Sequence, residues 1–163
     1  MDKNRKMVFE NLFSYEKNRQ QGNFVMSAFK VVSSIFTFST KGEIDFVDLS
    51  EKIQEAVSNS DIRTGIVHVF APHATGILIL TENDPALLSD IKAFLEDLAP
   101  KYNNYNHPLN AHSHLRSVIL PPDKTLPVSA GHVEFGTWQS LMFVETDVHA
   151  RNRTVSIQVI GET

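Results

Sequence analysis

Three of the seven histidines in this 163-residue chain fall close together, at His107, His112 and His114, and a fourth, His73, lies between a proline and an alanine. Imidazole is the commonest metal ligand in proteins and changes its charge close to neutral pH. His112 and His114 point the same way only if the backbone is extended, because a helix would turn them about 200° apart. A polar loop with solvated imidazoles explains each histidine taken singly. The clustering favours a functional site.

The histidines predict a divalent metal, Zn²⁺ or Mg²⁺, as the cofactor. If His73, His112 and His114 converge, they offer three imidazole nitrogens, and three protein ligands plus water are typical of catalytic zinc. The chain has no cysteine, so any metal must be held by nitrogen and oxygen ligands.

Polar side chains within or just after two apolar strands are further candidates for a functional site. In the strand predicted over residues 138–147, Gln139 and Glu145 share one face with two large apolar residues. That arrangement predicts a cavity or a partner subunit at this face, although a solvated sheet end is an alternative. Glu82 follows another apolar strand. Helix capping accounts for Asp84 but accounts less well for Glu82.

The composition limits the classes of function. A net charge of −4 provides no broad basic face, which argues against nucleic-acid binding. No apolar run approaches the roughly 20 residues that span a bilayer, and there is no signal-peptide core, so we predict a cytoplasmic protein without membrane contact. Neither a glycine-rich phosphate loop nor a Gly-x-Ser-x-Gly elbow is present.

Hydrophobic periodicity predicts strands and two to three helices in a single domain over residues 24–163, preceded by an arm over residues 1–23. Strands are predicted over 28–39, 66–70, 76–80, 125–128, 132–135, 138–147 and 154–160. Asp45 resembles the N-cap of a helix that continues to residue 58, and Pro85 begins a second helix. Asn110 caps a short third helix. The strand over 76–80 is apolar on both faces and is therefore predicted to be central.

Several segments together resemble the YjbQ-like family. The pattern includes Gly-Thr-Trp-Gln at residues 136–139, Glu145-x-Asp147 and a closing Val-Ile-Gly-Glu at residues 159–162. His73-Ala-Thr-Gly, Thr81-Glu-Asn-Asp-Pro and Asn110-Ala-His-Ser-His-Leu follow the family's order and spacing. The similarity extends over about residues 28–162. Two segments depart from the pattern, at Ala74 and Thr75 after the first histidine and at residues 148–151 before the last strand.

The resemblance implies a compact α+β fold of mainly antiparallel sheet, assembled as a homotrimer, with a histidine-lined site near the subunit boundary. Thiamine-phosphate synthase, a transferase activity on small phosphorylated ligands that usually needs a divalent cation, is associated with some family members. The candidate catalytic residues are His73, Glu82, His114, Gln139 and Glu145. The candidate substrate-binding residues are Thr75, Asn110, Arg116 and Trp138.

Two alternatives stay open at this stage. One is a trimeric module that binds a metal or a small molecule without turnover, favoured by the absence of an obvious nucleophile. The other is metal-assisted hydrolysis, in which three histidines hold zinc with one open position.

Overall fold

A computed structural model describes residues 29–163, so the predicted arm over residues 1–23 lies outside the described residues. The strands are β1 (Phe29–Ser39), β2 (Asp45–Asp48), β3 (Thr64–Phe70), β4 (Gly76–Thr81), β5 (Asp123–Ser129), β6 (His132–Val133), β7 (Ser140–Glu145) and β8 (Asn152–Glu162). The helices are α1 (Ser50–Ser60), α2 (Pro85–Leu98) and α3 (Ala111–Ile119). The predicted α+β class with mainly antiparallel sheet is confirmed.

The strands form two antiparallel sheets. The larger sheet has the order β1-β8-β3-β5-β6, and the smaller sheet has the order β2-β7-β4. β3 and β8 approach closely where Gly65 pairs with Gly161. A Cβ atom on Gly65 would lie 2.0 Å from the Ile160 carbonyl oxygen, so only glycine fits there.

The main core lies between the two sheets and α1. Val67 and Val69 of β3 and Val155 of β8 meet Leu141 and Phe143 of β7, all fully buried. Alternate residues of β8 are buried, because successive side chains of a strand point to opposite faces of the sheet. A second, smaller core on the opposite face of β7 and β4 joins Val144 and Ile77 to Leu95 of α2.

The first helix begins later than predicted. Residues 45–48 form β2, which pairs with β7 from Asp45 opposite Glu145 to Asp48 opposite Met142. The prediction of an N-cap at Asp45 is therefore wrong, and α1 starts at Ser50, whose amide nitrogen donates to Asp48 at 2.9 Å. Pairing with β7 holds residues 45–48 in a strand, although apolar residues at helical spacing continue through them. The helix therefore forms only after Leu49.

The prediction that the strand over 76–80 is central is also wrong, because β4 is an edge strand and β7 occupies the centre of the small sheet. β4 is apolar on both faces because two different layers cover it. Leu78 belongs to the main core, whereas Ile77 belongs to the smaller core beside α2.

None of the helices in residues 29–163 has the length and hydropathy that a transmembrane segment requires.

Candidate functional site

An ionic cluster lies where β7 ends. Glu145 is fully buried, and its carboxylate accepts hydrogen bonds from Thr40 Oγ1 at 2.9 Å and from the Asp147 amide nitrogen at 2.8 Å. Arg153 Nε and Nη2 each donate to this carboxylate at 2.6 Å, one to each oxygen. Such a bidentate pair fixes both side chains in one geometry. Both Glu145 carboxylate oxygens therefore accept hydrogen bonds from within the cluster.

Arg153 also connects the cluster to the loop before β4. Its Nη2 donates to Thr75 Oγ1 at 2.9 Å, so the hydroxyl retained after the first histidine has a defined partner. Asp147 accepts from Arg151 Nε at 2.8 Å. Burial raises the pKa of Asp147, but the hydrogen bond from Arg151 and the charge of Arg153 outweigh it and leave the pKa below its usual value.

His73 lies beside this cluster and is held by the backbone of β8. Its Nε2 atom is 2.8 Å from the carbonyl oxygen of Thr154 and 3.1 Å from the amide nitrogen of the same residue. One tautomer donates to the carbonyl and the other accepts from the amide. Burial lowers the pKa of His73 and the charge of Arg153 lowers it further, which favours the neutral imidazole.

The residues around His112 and His114 form α3, with Asn110 at the N-cap position as predicted, although its side chain makes no capping hydrogen bond. The helix turns the two imidazoles to different sides. His112 is buried, and its Nε2 lies 3.3 Å from Glu43 Oε1, whereas His114 is half-buried and lies against His107. Burial lowers the pKa of His112, and the charge of Arg116 adds to this.

His107 and His114 line a cavity of about 410 Å³, which we call the α3 cavity. Their rings meet edge to face with centroids 5.3 Å apart. The remaining lining residues come from the same loop and helix and are Tyr105, Asn106, Ala111 and Leu115. An apolar and aromatic lining with two imidazoles suits a small heterocyclic ligand.

Arg116, a candidate for substrate binding, is fully buried beneath α2. Its Nε donates to the carbonyl oxygens of Leu95 at 3.0 Å and Ala99 at 3.1 Å, and its Nη1 donates to Glu43 at 2.8 Å. These carbonyls lie at the C-terminal end of α2, so the Arg116 guanidinium caps that helix. Lys101 also donates to Glu43, at 2.6 Å, so both cations share one carboxylate.

The remaining candidates lie at the other end of β7. Gln139 Oε1 accepts from the Gly136 backbone nitrogen at 2.9 Å, and the backbone nitrogen of Gln139 donates to the Gly136 carbonyl oxygen, which closes a tight turn. That turn leaves Trp138 72% exposed. Asp84 caps α2 by accepting from the amide nitrogens of Ala86 and Leu87, and Glu82 is exposed nearby.

One chain does not bring all the predicted site residues together. His73, Thr75 and Glu145 lie at one end of β7, whereas Gln139, Trp138 and Glu82 lie at the other. A strand rises about 3.4 Å per residue, so the length of β7 separates the two ends by about 17 Å.

The three predicted metal ligands are likewise apart. Within residues 29–163, no group of three or more His, Cys, Asp or Glu side chains is placed to hold a metal ion. The fold of one chain therefore does not form a metal centre from His73, His112 and His114, because α3 directs His112 and His114 to different sides.

Sequence reasoning missed the cations and hydroxyl that complete the ionic cluster. Neither Thr40 nor the pairing of Arg151 and Arg153 with carboxylates was predicted, although Glu145 and Asp147 carry the opposite charges at the same two-residue spacing as the arginines. Matching alternation on both sides of a turn is a signal that could have found this cluster. Glu43 and Lys101 carry no comparable signal, because they lie far apart in sequence and meet only in the folded chain, where Lys101 donates to the Glu43 carboxylate.

The low pKa values of His73 and His112 predict how stability depends on pH. Below the ordinary imidazole pKa of about 6.5, the unfolded chain binds more protons at these positions than the folded chain does. The free energy of unfolding should therefore fall as pH drops from about 6.5 toward the folded pKa values. Urea denaturation at pH 7.5, 6.5 and 5.5 measures this. A His73→Gln, His112→Gln double variant should show a flatter slope, and an unchanged slope would contradict the assignment.

The two antiparallel sheets, three helices and buried ionic cluster of residues 29–163 form a compact α+β domain. The sequence over residues 34–162 matches the model of the family described as UPF0047 protein YjbQ-like, and the chain belongs to that family.

Relatives with the same family name cover most of this chain. A UPF0047 protein of Methanothermobacter thermautotrophicus is 38% identical over 126 residues, 76% of this chain and 87% of that protein. One from Archaeoglobus fulgidus is 32% identical over 127 residues, 76% of this chain and 98% of that protein. A crystal structure of a protein of unknown function from Sulfolobus solfataricus P2 superposes with a TM-score of 0.79 at 27% identity, covering 82% of this chain and 99% of that one.

Proposed function

We propose that this protein is a small-molecule enzyme with its site at the α3 cavity, resembling the family members associated with thiamine-phosphate synthase activity. The observation that carries the proposal is the pair of imidazoles of His107 and His114 facing a cavity of about 410 Å³. Imidazole is the commonest general acid or base in enzymes, and a pocket of this size and lining accommodates an aromatic heterocycle.

The proposal includes a homotrimer, because the candidate residues at the two ends of β7 are too far apart to act together in one chain. In the assembled protein, Glu82, Gln139 and Trp138 of one copy would approach His73 and His114 of the next. Trp138 supports this, since an exposed indole commonly lies at a subunit contact. Sedimentation at micromolar concentration should give three times the mass of the chain, and a stable monomer would contradict this part of the proposal.

We propose a divalent metal, Zn²⁺ or Mg²⁺, as a cofactor of the assembled trimer and not of the single chain. His107 and His114 supply two imidazoles from one chain, and a third ligand would come from the neighbouring copy. When bound, the cation would neutralise a phosphorylated ligand. The positive charge of a metal is needed because Arg116 and Lys101 are already hydrogen-bonded to the Glu43 carboxylate.

A second candidate is a trimeric module that binds a small molecule without turnover. The commitment of both Glu145 oxygens to Arg153, Thr40 and Asp147 favours it, since this carboxylate is not free to take a proton from a ligand.

One assay separates the two candidates. The purified chain is incubated with the pyrimidine diphosphate and thiazole phosphate precursors and Mg²⁺, and thiamine phosphate is measured by chromatography. Product formation supports the enzyme. Calorimetric binding of either precursor without product supports the module, and the absence of both binding and product would contradict both candidates.

A further inference from the structure

A second cavity, of about 580 Å³, lies beside the C-terminal end of α2, and we call it the α2 cavity. Glu43, Lys101 and the fully buried Arg116 form part of its wall. Charged side chains of α2 also line it, namely Lys92, Glu96 and Asp97. The α2 cavity and the α3 cavity have different lining residues, so they are separate sites.

The guanidinium of Arg116 has donors that the fold does not use. A guanidinium carries five N–H groups and keeps its positive charge in proteins. Nε is shared between the carbonyl oxygens of Leu95 and Ala99, and Nη1 donates to Glu43. Among residues 29–163, no atom accepts a hydrogen bond from Nη2, although this nitrogen is buried. An unpaired buried donor is destabilising, so Nη2 is suited to an acceptor that these residues do not supply.

The charges at this wall favour an anionic acceptor. Arg116 and Lys101 both donate to Glu43, at 2.8 Å and 2.6 Å, so two cations share one carboxylate. His112 Nε2 lies 3.3 Å from the same carboxylate, but burial and then the charge of Arg116 lower the pKa of His112 and favour its neutral form. The wall therefore has one positive charge in excess.

The remaining lining residues indicate which anion is suitable. Glu96 and Asp97 are exposed on α2, and Lys92 offsets their charge only in part. A phosphate group carries a charge of about −1.5 to −2, which exceeds the excess at the wall and is repelled by these two acids. A carboxylate carries a single charge, and its planar shape matches a guanidinium. Pro100 and Tyr102 offer apolar and aromatic surface to the rest of such a ligand.

We infer that the α2 cavity binds a small organic acid with one carboxylate, which accepts from Arg116 Nη2 and is attracted by Lys101. The carboxylate supplies the missing acceptor and neutralises the excess charge. The side chain of Lys101 is 41% exposed, so the cavity is open to solvent at this residue. The site is independent of the α3 cavity and of the reaction proposed there.

Titration of the full chain with benzoate, followed by calorimetry and by NMR of the backbone amides, tests this site. We expect a dissociation constant of about 1 mM or tighter. The amide signals of Lys101 and Tyr102 should shift, whereas those of His107 and Leu115 in the α3 cavity should not. Benzamide, which has the same shape without the charge, should bind about tenfold more weakly or less, and phenyl phosphate should also bind more weakly than benzoate.

Three results of this titration would overturn the inference. Absence of benzoate binding would show that Nη2 is paired with water alone. Equal or tighter binding of benzamide or phenyl phosphate would contradict the recognition of a single carboxylate charge. Shifts centred on His107 and Leu115 would place the benzoate in the α3 cavity.

Two substitutions should change the affinity for benzoate in opposite directions. Lys101→Met removes an exposed cation and should weaken binding about tenfold, whereas Glu43→Gln removes the competing carboxylate and should strengthen it. The matched control is Lys52→Met, which removes an exposed lysine paired with Glu55 at 2.7 Å on α1 and should leave the affinity unchanged. A purely structural role for the cluster would lower the melting temperature of both variants and leave the affinity as in the wild type. Unchanged affinity in Lys101→Met would therefore overturn the inference.

Discussion

Replacing Glu145 by glutamine should lower the free energy of unfolding by about 3–5 kcal/mol, because it removes the carboxylate hydrogen-bonded to the buried guanidinium of Arg153 and leaves only Asp147, 3.9 Å away, as counter-charge. Glutamine preserves the shape of the side chain, so the loss reports the charge and its hydrogen bonds. Urea denaturation with a two-state fit measures the change. An Arg153→Met variant should be destabilised for the complementary reason, since it leaves the Glu145 carboxylate buried and unpaired.

Two control variants test whether the destabilisation comes from an unpaired buried charge. The double variant Glu145→Leu, Arg153→Met should be more stable than either charge-breaking single variant, because no unpaired charge remains. Lys30→Ala removes an exposed ion pair with Asp61, in which the atoms are 3.8 Å apart, and should leave the denaturation midpoint nearly unchanged. If Glu145→Gln costs less than about 1 kcal/mol, the carboxylate is not the main partner of Arg153.

Replacing His114 by alanine should lower the rate of the proposed reaction by about 10²–10⁴-fold, the usual contribution of a general acid or base. The substitution removes one of the two imidazoles from the α3 cavity. The fold and the assembly should persist, because His114 is only half-buried and Ser113, Arg116 and Ala111 carry the buried contacts of α3. Thiamine phosphate formation by the wild type and the variant is compared at saturating precursor.

His132→Ala is the matched control, since His132 is an exposed histidine in the short hairpin strand β6, and its loss should leave the rate unchanged. If His114 is instead a structural residue, its removal would lower the melting temperature and leave precursor binding and turnover as in the wild type. A lower melting temperature with an unaltered rate would therefore contradict the catalytic role.

The α+β class and most of the helices and strands could be predicted from the amino-acid sequence. β1 was expected over 28–39 and occurs as Phe29–Ser39, and the helix expected at Pro85 occurs as Pro85–Leu98. Both carry local signals, a run of β-branched and aromatic residues in one case and an Asp-Pro helix start in the other. The family-specific Gly-Thr-Trp-Gln segment likewise identified the family without any coordinates.

Which polar residues lie in contact depends on the packing of helices and sheets. The sequence grouped His112 with His114, but the helix separates them and places His112 against Glu43 and His114 against His107. The sequence pattern predicted that Glu145 faces a cavity, a partner subunit or solvent, whereas Arg153 and Thr40 of the same chain occupy its oxygens. Periodicity records which face of an element is apolar. The contact between His112 and Glu43, however, depends on how helices and loops pack across a long separation in the chain, and no local pattern contains that information.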